Sequence, residues 1–297
     1  MTRNQKRPVA VIGAGTMGGP AAAAARAAGH SVTVFDLDPI AIAAAVAAGH
    51  EIADTPATAA AGAAVVLLSL PTPDAVRTVL TSAHGVLAGA ASGTIVVDLS
   101  TIDPVTARDC ARAAAGRGVD MLDAPVLGRP HRCGRWTLPV GGERDTLERA
   151  RPVLGQIAAS LVHVGGHGAG MTIKLLNNYL FGVINTATAE CMAAADRLGI
   201  DPAQVYDVLA ESGAATISPL FLEIAPKMLS NDFSPAFTVD LLAKDIGLAV
   251  QMIDAAGARH ATGTAAAELT TRAQDLGLGD RDTSAVVVAA RHASGER

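Results

Sequence analysis

Over its first 126 residues the chain alternates short, unbroken apolar runs with alanine-rich stretches, and this alternation restricts the fold more than any other feature. Residues 8–12 (PVAVI), 30–36 (HSVTVFD), 64–70 (AVVLLSL), 94–99 (TIVVDL) and 120–126 (DMLDAPV) are too short for stable helices and rich in β-branched residues, so they read as strands. Residues 17–29, 40–48 and 104–116 lie between them and read as helices, the last with Asp103 as N-cap and Pro104 at the first helical position. Pro71 and Pro73 stop the third strand. Runs that are apolar throughout suit a parallel sheet covered by helices on both faces. After residue 164 the alternation ends. Residues 171–198 are apolar all round with Gly182 as the sole glycine, which reads as one long buried helix. The remainder is helical in pattern, punctuated at 199–202 and 230–235, with final helices at 265–275 and 283–292. The expected class is therefore α/β: a Rossmann-type parallel-sheet domain over residues 1–166, followed by an all-α domain over residues 167–297 built on a long interdomain helix.

Composition narrows the partners. A net charge of -5 provides no broad basic field, which argues against nucleic acid or an anionic membrane. Cys110, Cys133 and Cys191 are odd in number and far apart, so neither a disulfide framework nor a paired-cysteine metal site is expected. No metal is expected elsewhere. The lead before residue 8 is basic and has no signal-like apolar region, and 65–70 is too short to span a bilayer. A cytoplasmic location is expected.

Gly13-Ala14-Gly15-Thr16-Met17-Gly18 joins the first strand to the first helix. In such a turn the first glycine permits the tight bend. The second admits a pyrophosphate to the backbone, and the third allows close packing of helix on strand. Exposed N–H groups at the helix start then hold the anion. Asp36 ends the second strand, where a carboxylate accepts from both ribose hydroxyls and repels a 2′-phosphate, so NAD is favoured over NADP. The lesser alternative is that Asp36 caps the helix at Pro39, a role for which Asp38 competes. Leu70-Pro71-Thr72-Pro73 and Asp98-Leu99-Ser100-Thr101 follow the third and fourth strands. Ligands bind at such strand ends in open α/β sheets, although either segment could be a plain turn.

Lys174 and Asn178 lie four apart on the long helix and share a face. Ile173, Leu175 and Leu176 flank the lysine, and desolvation there would lower its pKa toward working pH and suit it to acid–base work. The alternative is a surface lysine whose stem lies along the helix. Lys244-Asp245 sits in a second apolar helix and could be no more than an exposed charged spot.

Taken together, VIGAGTMG at 11–18, LPTPDAV at 70–76, DLSTIDP at 98–104, DAPV at 123–126, GAGMTIKLLNN at 168–178 and LLAKD at 241–245 resemble the β-hydroxyacid dehydrogenases, the family of 3-hydroxyisobutyrate dehydrogenase and tartronate semialdehyde reductase. The resemblance covers nearly the whole chain. It implies hydride transfer between a nicotinamide cofactor and a small 3-hydroxy acid or its semialdehyde, in a cleft between two domains. It implies that Lys174 is the acid–base residue and Asn178 a substrate ligand. It implies that Thr101, Lys244 and the Leu70-Pro71 backbone contact the cofactor, and that the chain forms a homodimer or homotetramer.

One block departs from the family. After DAPV the family usually carries Ser-Gly-Gly, which grips the substrate carboxylate, whereas here Leu127-Gly128-Arg129-Pro130 stands. Arg129 could compensate, since a guanidinium binds carboxylate, sulfonate or phosphate in a fork. It could also be a structural ion pair or a solvated arginine. Trp136, the sole tryptophan, could wall the substrate site or plug the domain junction. Two other readings share the fold: an imine reductase, against which Lys174 counts, and a non-catalytic dinucleotide-binding scaffold.

Overall fold

The computed structural model describes residues 6–212 and 217–292, and the chain divides into two compact units, Met1–Lys174 and Leu175–Arg297. The first holds an eight-stranded sheet. Its strands are β1 (Val9–Ile12), β2 (Val32–Phe35), β3 (Glu51–Ile52), β4 (Val65–Leu68), β5 (Ile95–Asp98), β6 (Asp120–Asp123), β7 (Trp136–Gly141) and β8 (Ala158–Gly165), in the order β3-β2-β1-β4-β5-β6-β7-β8. The five strands expected from the apolar runs are all present and parallel. Three more complete the sheet. β7 runs antiparallel to β6, pairing Gly141 with Asp123, and the same register recurs at Leu127 and Thr137. The sheet is thus mostly parallel rather than wholly so.

Alternate residues of the parallel strands enter two different cores. Val9, Val11, Val65, Leu67, Ile95 and Val97 pack on one face, with α1 (Gly18–Ala27) and α7 (Arg144–Ile157). Ala10, Ile12, Val66, Leu68 and Val96 pack on the other, with α3 (Pro56–Ala60), α4 (Pro73–Thr81), α5 (Val86–Gly89) and α6 (Pro104–Ala115). Covering both faces is why these strands carry no polar alternation. Because β1, β4, β5 and β6 run the same way, the loops that follow them emerge at one edge of the sheet.

Outside this sheet, α2 (Pro39–Ala47) follows β2 and is capped by Asp38, whose side chain accepts from the Ile40 amide. The cap is therefore Asp38 and not Asp36. α8 (Ala169–Arg197) begins in the first unit and continues into the second. It is not buried all round: Ile173, Leu176 and Leu180 are exposed. The second unit adds α9 (Pro202–Ser212), α10 (Pro219–Ser230), α11 (Val239–Ala255), α12 (Ala261–Asp275) and α13 (Val286–His292). Gly182 of α8 lies flush against α11, since a Cβ there would come 2.5 Å from Ile246 Cδ1. Among the described residues no helix is long and apolar enough to cross a membrane, and Cys110, Cys133 and Cys191 are all free thiols.

Candidate active site

The three glycines of the first turn meet different surroundings. At Gly13, φ is +88° and a Cβ would lie 2.2 Å from the Ser69 carbonyl oxygen. At Gly18 a Cβ would lie 1.8 Å from the Gly13 carbonyl oxygen, so α1 starts directly on the turn. At Gly15 a Cβ would meet nothing within 4 Å, and the residue is exposed. Two glycines are therefore required by the fold and one is not, which leaves an open cradle at the backbone. Ala14 is buried, Thr16 is exposed, and Met17 packs its side chain on the core. The Asp36 carboxylate stands beside this turn, accepting from the Ala14 amide at 2.6 Å and from the Leu37 and Asp38 amides at 2.7 and 2.9 Å. An open backbone at a helix start with a carboxylate at the neighbouring strand end fits a dinucleotide.

The loops after β4 and β5 are joined to each other. The Leu70 amide donates to Ser100 Oγ at 2.9 Å, and the Ser100 amide donates to buried Asp98 Oδ1 at 2.9 Å. Leu70 also borders Gly13. The turn, Leu70 and the segment leading to half-buried Thr101 are thus brought to one edge, with exposed Pro71 beside them.

Further along this edge Lys174 Nζ donates to the Val126 carbonyl at 2.9 Å. Its sequence neighbours do not enclose it: Leu175 is buried, but Ile173 and Leu176 are exposed. The Val126 carbonyl that it meets lies on the segment leaving β6. Asp123, unremarked as a site residue in the sequence, lies at the root of that segment. Its carboxylate accepts from the Gly168 amide at 2.8 Å and the Met171 amide at 3.1 Å, at the start of α8. Burial pushes its pKa up, against the lowering effect of those two amides.

Leu127-Gly128-Arg129 is firmly seated. Leu127 exchanges backbone hydrogen bonds with Thr137 at 3.0 and 3.1 Å. The Trp136 indole N–H donates to the Arg129 carbonyl at 2.8 Å, and a Cβ on Gly128 would come 2.5 Å from Trp136 Cδ1. Trp136 is fully buried in the core of the first unit. It supports the loop from below.

In the second unit Asn178 is buried and donates through Nδ2 to Asp245 Oδ2, while Asn177 Nδ2 donates to Asn178 Oδ1 at 3.0 Å. Lys244 Nζ pairs with Asp245 Oδ1 at 2.9 Å. Asp245 is only 2% exposed, so the Lys244-Asp245 pair is not an exposed charged spot. It orients Asn178, a role invisible in sequence because the partners lie 67 residues apart.

Residues 8–165 match the family model described as the NAD binding domain of 6-phosphogluconate dehydrogenase, and residues 168–290 match that described as NAD-binding of NADP-dependent 3-hydroxyisobutyrate dehydrogenase. The 3-hydroxyisobutyrate dehydrogenase of Pseudomonas aeruginosa is 38% identical over 270 residues, covering 88% of this chain and 90% of that protein. The 3-sulfolactaldehyde reductase of Escherichia coli is 34% identical over 293 residues, covering 97% of each. Among solved structures, the 3-hydroxyisobutyrate dehydrogenase of Mycobacterium tuberculosis with L-serine is similar at a TM-score of 0.86 and 35% identity, covering 97% of this chain and 100% of that one.

Proposed function

The chain belongs to the β-hydroxyacid dehydrogenases of the 3-hydroxyisobutyrate dehydrogenase type, which are nicotinamide-dependent oxidoreductases, and from that premise we propose that it interconverts a small anionic 3-hydroxy acid and its semialdehyde, with NAD as cofactor and Lys174 as the proton-transfer group. The observation that carries this reading is the Lys174 amine held at the Val126 carbonyl, at the sheet edge where the glycine turn opens. In the oxidative direction the neutral amine takes the substrate hydroxyl proton; in the reductive direction the ammonium returns it to the developing alkoxide. The nicotinamide, when bound, supplies the hydride acceptor or donor.

The turn Gly13 to Gly18 holds the pyrophosphate, and Leu70, Pro71, Thr101 and Lys244 contact the rest of the cofactor. The Gly128 backbone and Arg129 grip the substrate's acid group with Leu127 lining the site beside them, while Asn178 binds its hydroxyl. In this reading residues 1–166 bind the dinucleotide and 167–297 complete the substrate site and the subunit contacts of a cytoplasmic homodimer or homotetramer.

The test is formation of reduced cofactor from 3-hydroxyisobutyrate, L-serine or 2,3-dihydroxypropane-1-sulfonate with NAD and with NADP, together with the reverse reaction on the corresponding aldehydes. Turnover with NAD is expected for at least one acid. Silence in both directions with both cofactors would instead favour a non-catalytic scaffold.

Two variants test the assignments separately. Asp36→Ala removes a carboxylate that favours ribose hydroxyls. The variant also frees the amides of Ala14, Leu37 and Asp38, which weakens both cofactors alike, so the informative quantity is the ratio of kcat/KM values. That NAD-to-NADP ratio is expected to fall by about tenfold or more, the size of losing charged hydrogen bonds worth roughly 1.5–3 kcal/mol. An unchanged ratio removes Asp36 from the account. Arg129→Ala is expected to raise KM for the acid by about tenfold or more, with kcat largely kept, as removal of uniform binding does. An unchanged KM would place the acid group elsewhere.

A further inference from the structure

The segment from Asp123 to Val126 and the start of α8 are tied at two points. At one end the Asp123 carboxylate accepts from the Gly168 and Met171 amides. At the other the Val126 carbonyl accepts from Lys174 Nζ. The tie points lie three positions apart on each side, Asp123 to Val126 and Met171 to Lys174. Helix starts leave amides unsatisfied, and a local Ser, Thr, Asp or Asn ordinarily caps them. Here the residue before α8 is Gly168, which has no side chain to offer, at φ +88°. The cap comes from another element, 45 residues away.

A local cap would satisfy the same amides without removing a carboxylate from water. Only a cap from β6 also fixes the helix start against the carbonyl that Lys174 must meet. The surroundings are built to this position: a Cβ at Gly141 would lie 2.5 Å from Asp123 Oδ1, and one at Gly170 would lie 2.5 Å from the Asp123 carbonyl and 2.6 Å from that of Pro139.

We propose that Asp123 is a positioning residue for Lys174, clamping the first turn of α8 to β6 so that the amine is delivered to a fixed place at the strand end. This rests on the assignment of Lys174 as the proton-transfer group. Asp123→Asn keeps the shape and one acceptor oxygen but sets an NH2 group against an amide. With a substrate found active above, kcat is expected to fall on the order of 10²-fold, the scale of a catalytic group displaced by about 1 Å. KM for the acid and the NADH dissociation constant are expected to stay near wild type.

The readout that a purely structural role would not move is 15N relaxation of the Lys174 ammonium. It should be restrained in the native protein and as mobile as a surface lysine in the variant. Three results would each overturn the proposal: near-native kcat in Asp123→Asn, lost kcat with Lys174 still restrained, or a native Lys174 ammonium already mobile. The last is measured on the unaltered protein and decides the matter even if the variant does not fold. Failure of the Lys174 assignment is seen separately, as retained turnover in Lys174→Ala with the clamp intact.

Discussion

Lys174→Ala is expected to lower kcat by on the order of 10²–10⁴, the contribution of a positioned general acid or base, while NAD binding stays near wild type. The separation follows from geometry. The glycine turn and Asp36 are fixed by β1, α1, β2 and their own backbone hydrogen bonds, none of which involves the lysine. The fold should tolerate the change as well. The truncation removes the hydrogen bond to the part-buried Val126 carbonyl, and Leu175 and Met171 keep the helix packed. Steady-state kinetics in both directions and NAD titration decide it. If the variant turns over at the native rate, the proton moves through another group and the proposed chemistry falls, leaving the family fold intact.

Gly15→Ala and Gly18→Ala, three residues apart, are expected to fail in opposite ways. At Gly18 a Cβ would meet the backbone oxygen of Gly13 at 1.8 Å, and neither backbone can yield without moving α1 off the turn. The cost belongs at or above the upper end of the roughly 1–3 kcal/mol typical of overpacking, and each kcal/mol lowers Tm by roughly 2–4 °C in a protein of this size. At Gly15 a Cβ enters open space, so the cofactor-free protein keeps its Tm or gains slightly from a stiffer unfolded chain. The methyl instead occupies the ground a pyrophosphate would approach, and the NAD dissociation constant is expected to rise at least about tenfold, or 1.4 kcal/mol. Thermal melts without cofactor and NAD titrations separate the two. Native NAD affinity in Gly15→Ala would mean the anion is not held at this turn.

The parts of the fold legible in the sequence are those where local and global demands coincide. β1, β2, β4 and β5 are rich in β-branched residues and bounded by turns; both faces of β1, β4 and β5 are buried, while β2 is buried on one face and half-buried on the other, so composition alone marks them. β3 is two residues long. β7 contains Pro139, and β8 is half-buried at the sheet edge with little contrast between its faces, so neither gives the pattern that identifies a strand. α7 carries Pro152 in its interior and shows its helicity through the packing of Leu147, Ala150, Val153 and Leu154. The candidate site divides in the same way. Motifs contiguous in the chain, such as the glycine turn and the Lys174-Asn178 spacing, are readable. The clamp from Asp123 and the support of Asn178 by Asp245 join residues 45 to 67 positions apart, and nothing local announces them. Nor do flanking residues settle a side chain's surroundings: the apolar neighbours of Lys174 predict an enclosed amine, yet two of the three face outward.

The buried indole beneath Gly128 has one further consequence. Trp136 is the chain's only tryptophan, and its N–H is fastened to the carbonyl of Arg129. Tryptophan emission, excited selectively over Tyr179 and Tyr206, therefore reports on a single location in the chain, the floor of the loop proposed to grip the substrate. A ligand that draws on Arg129 should change the wavelength or intensity of that emission without any label being attached, giving a direct optical titration for molecules that bind but do not react.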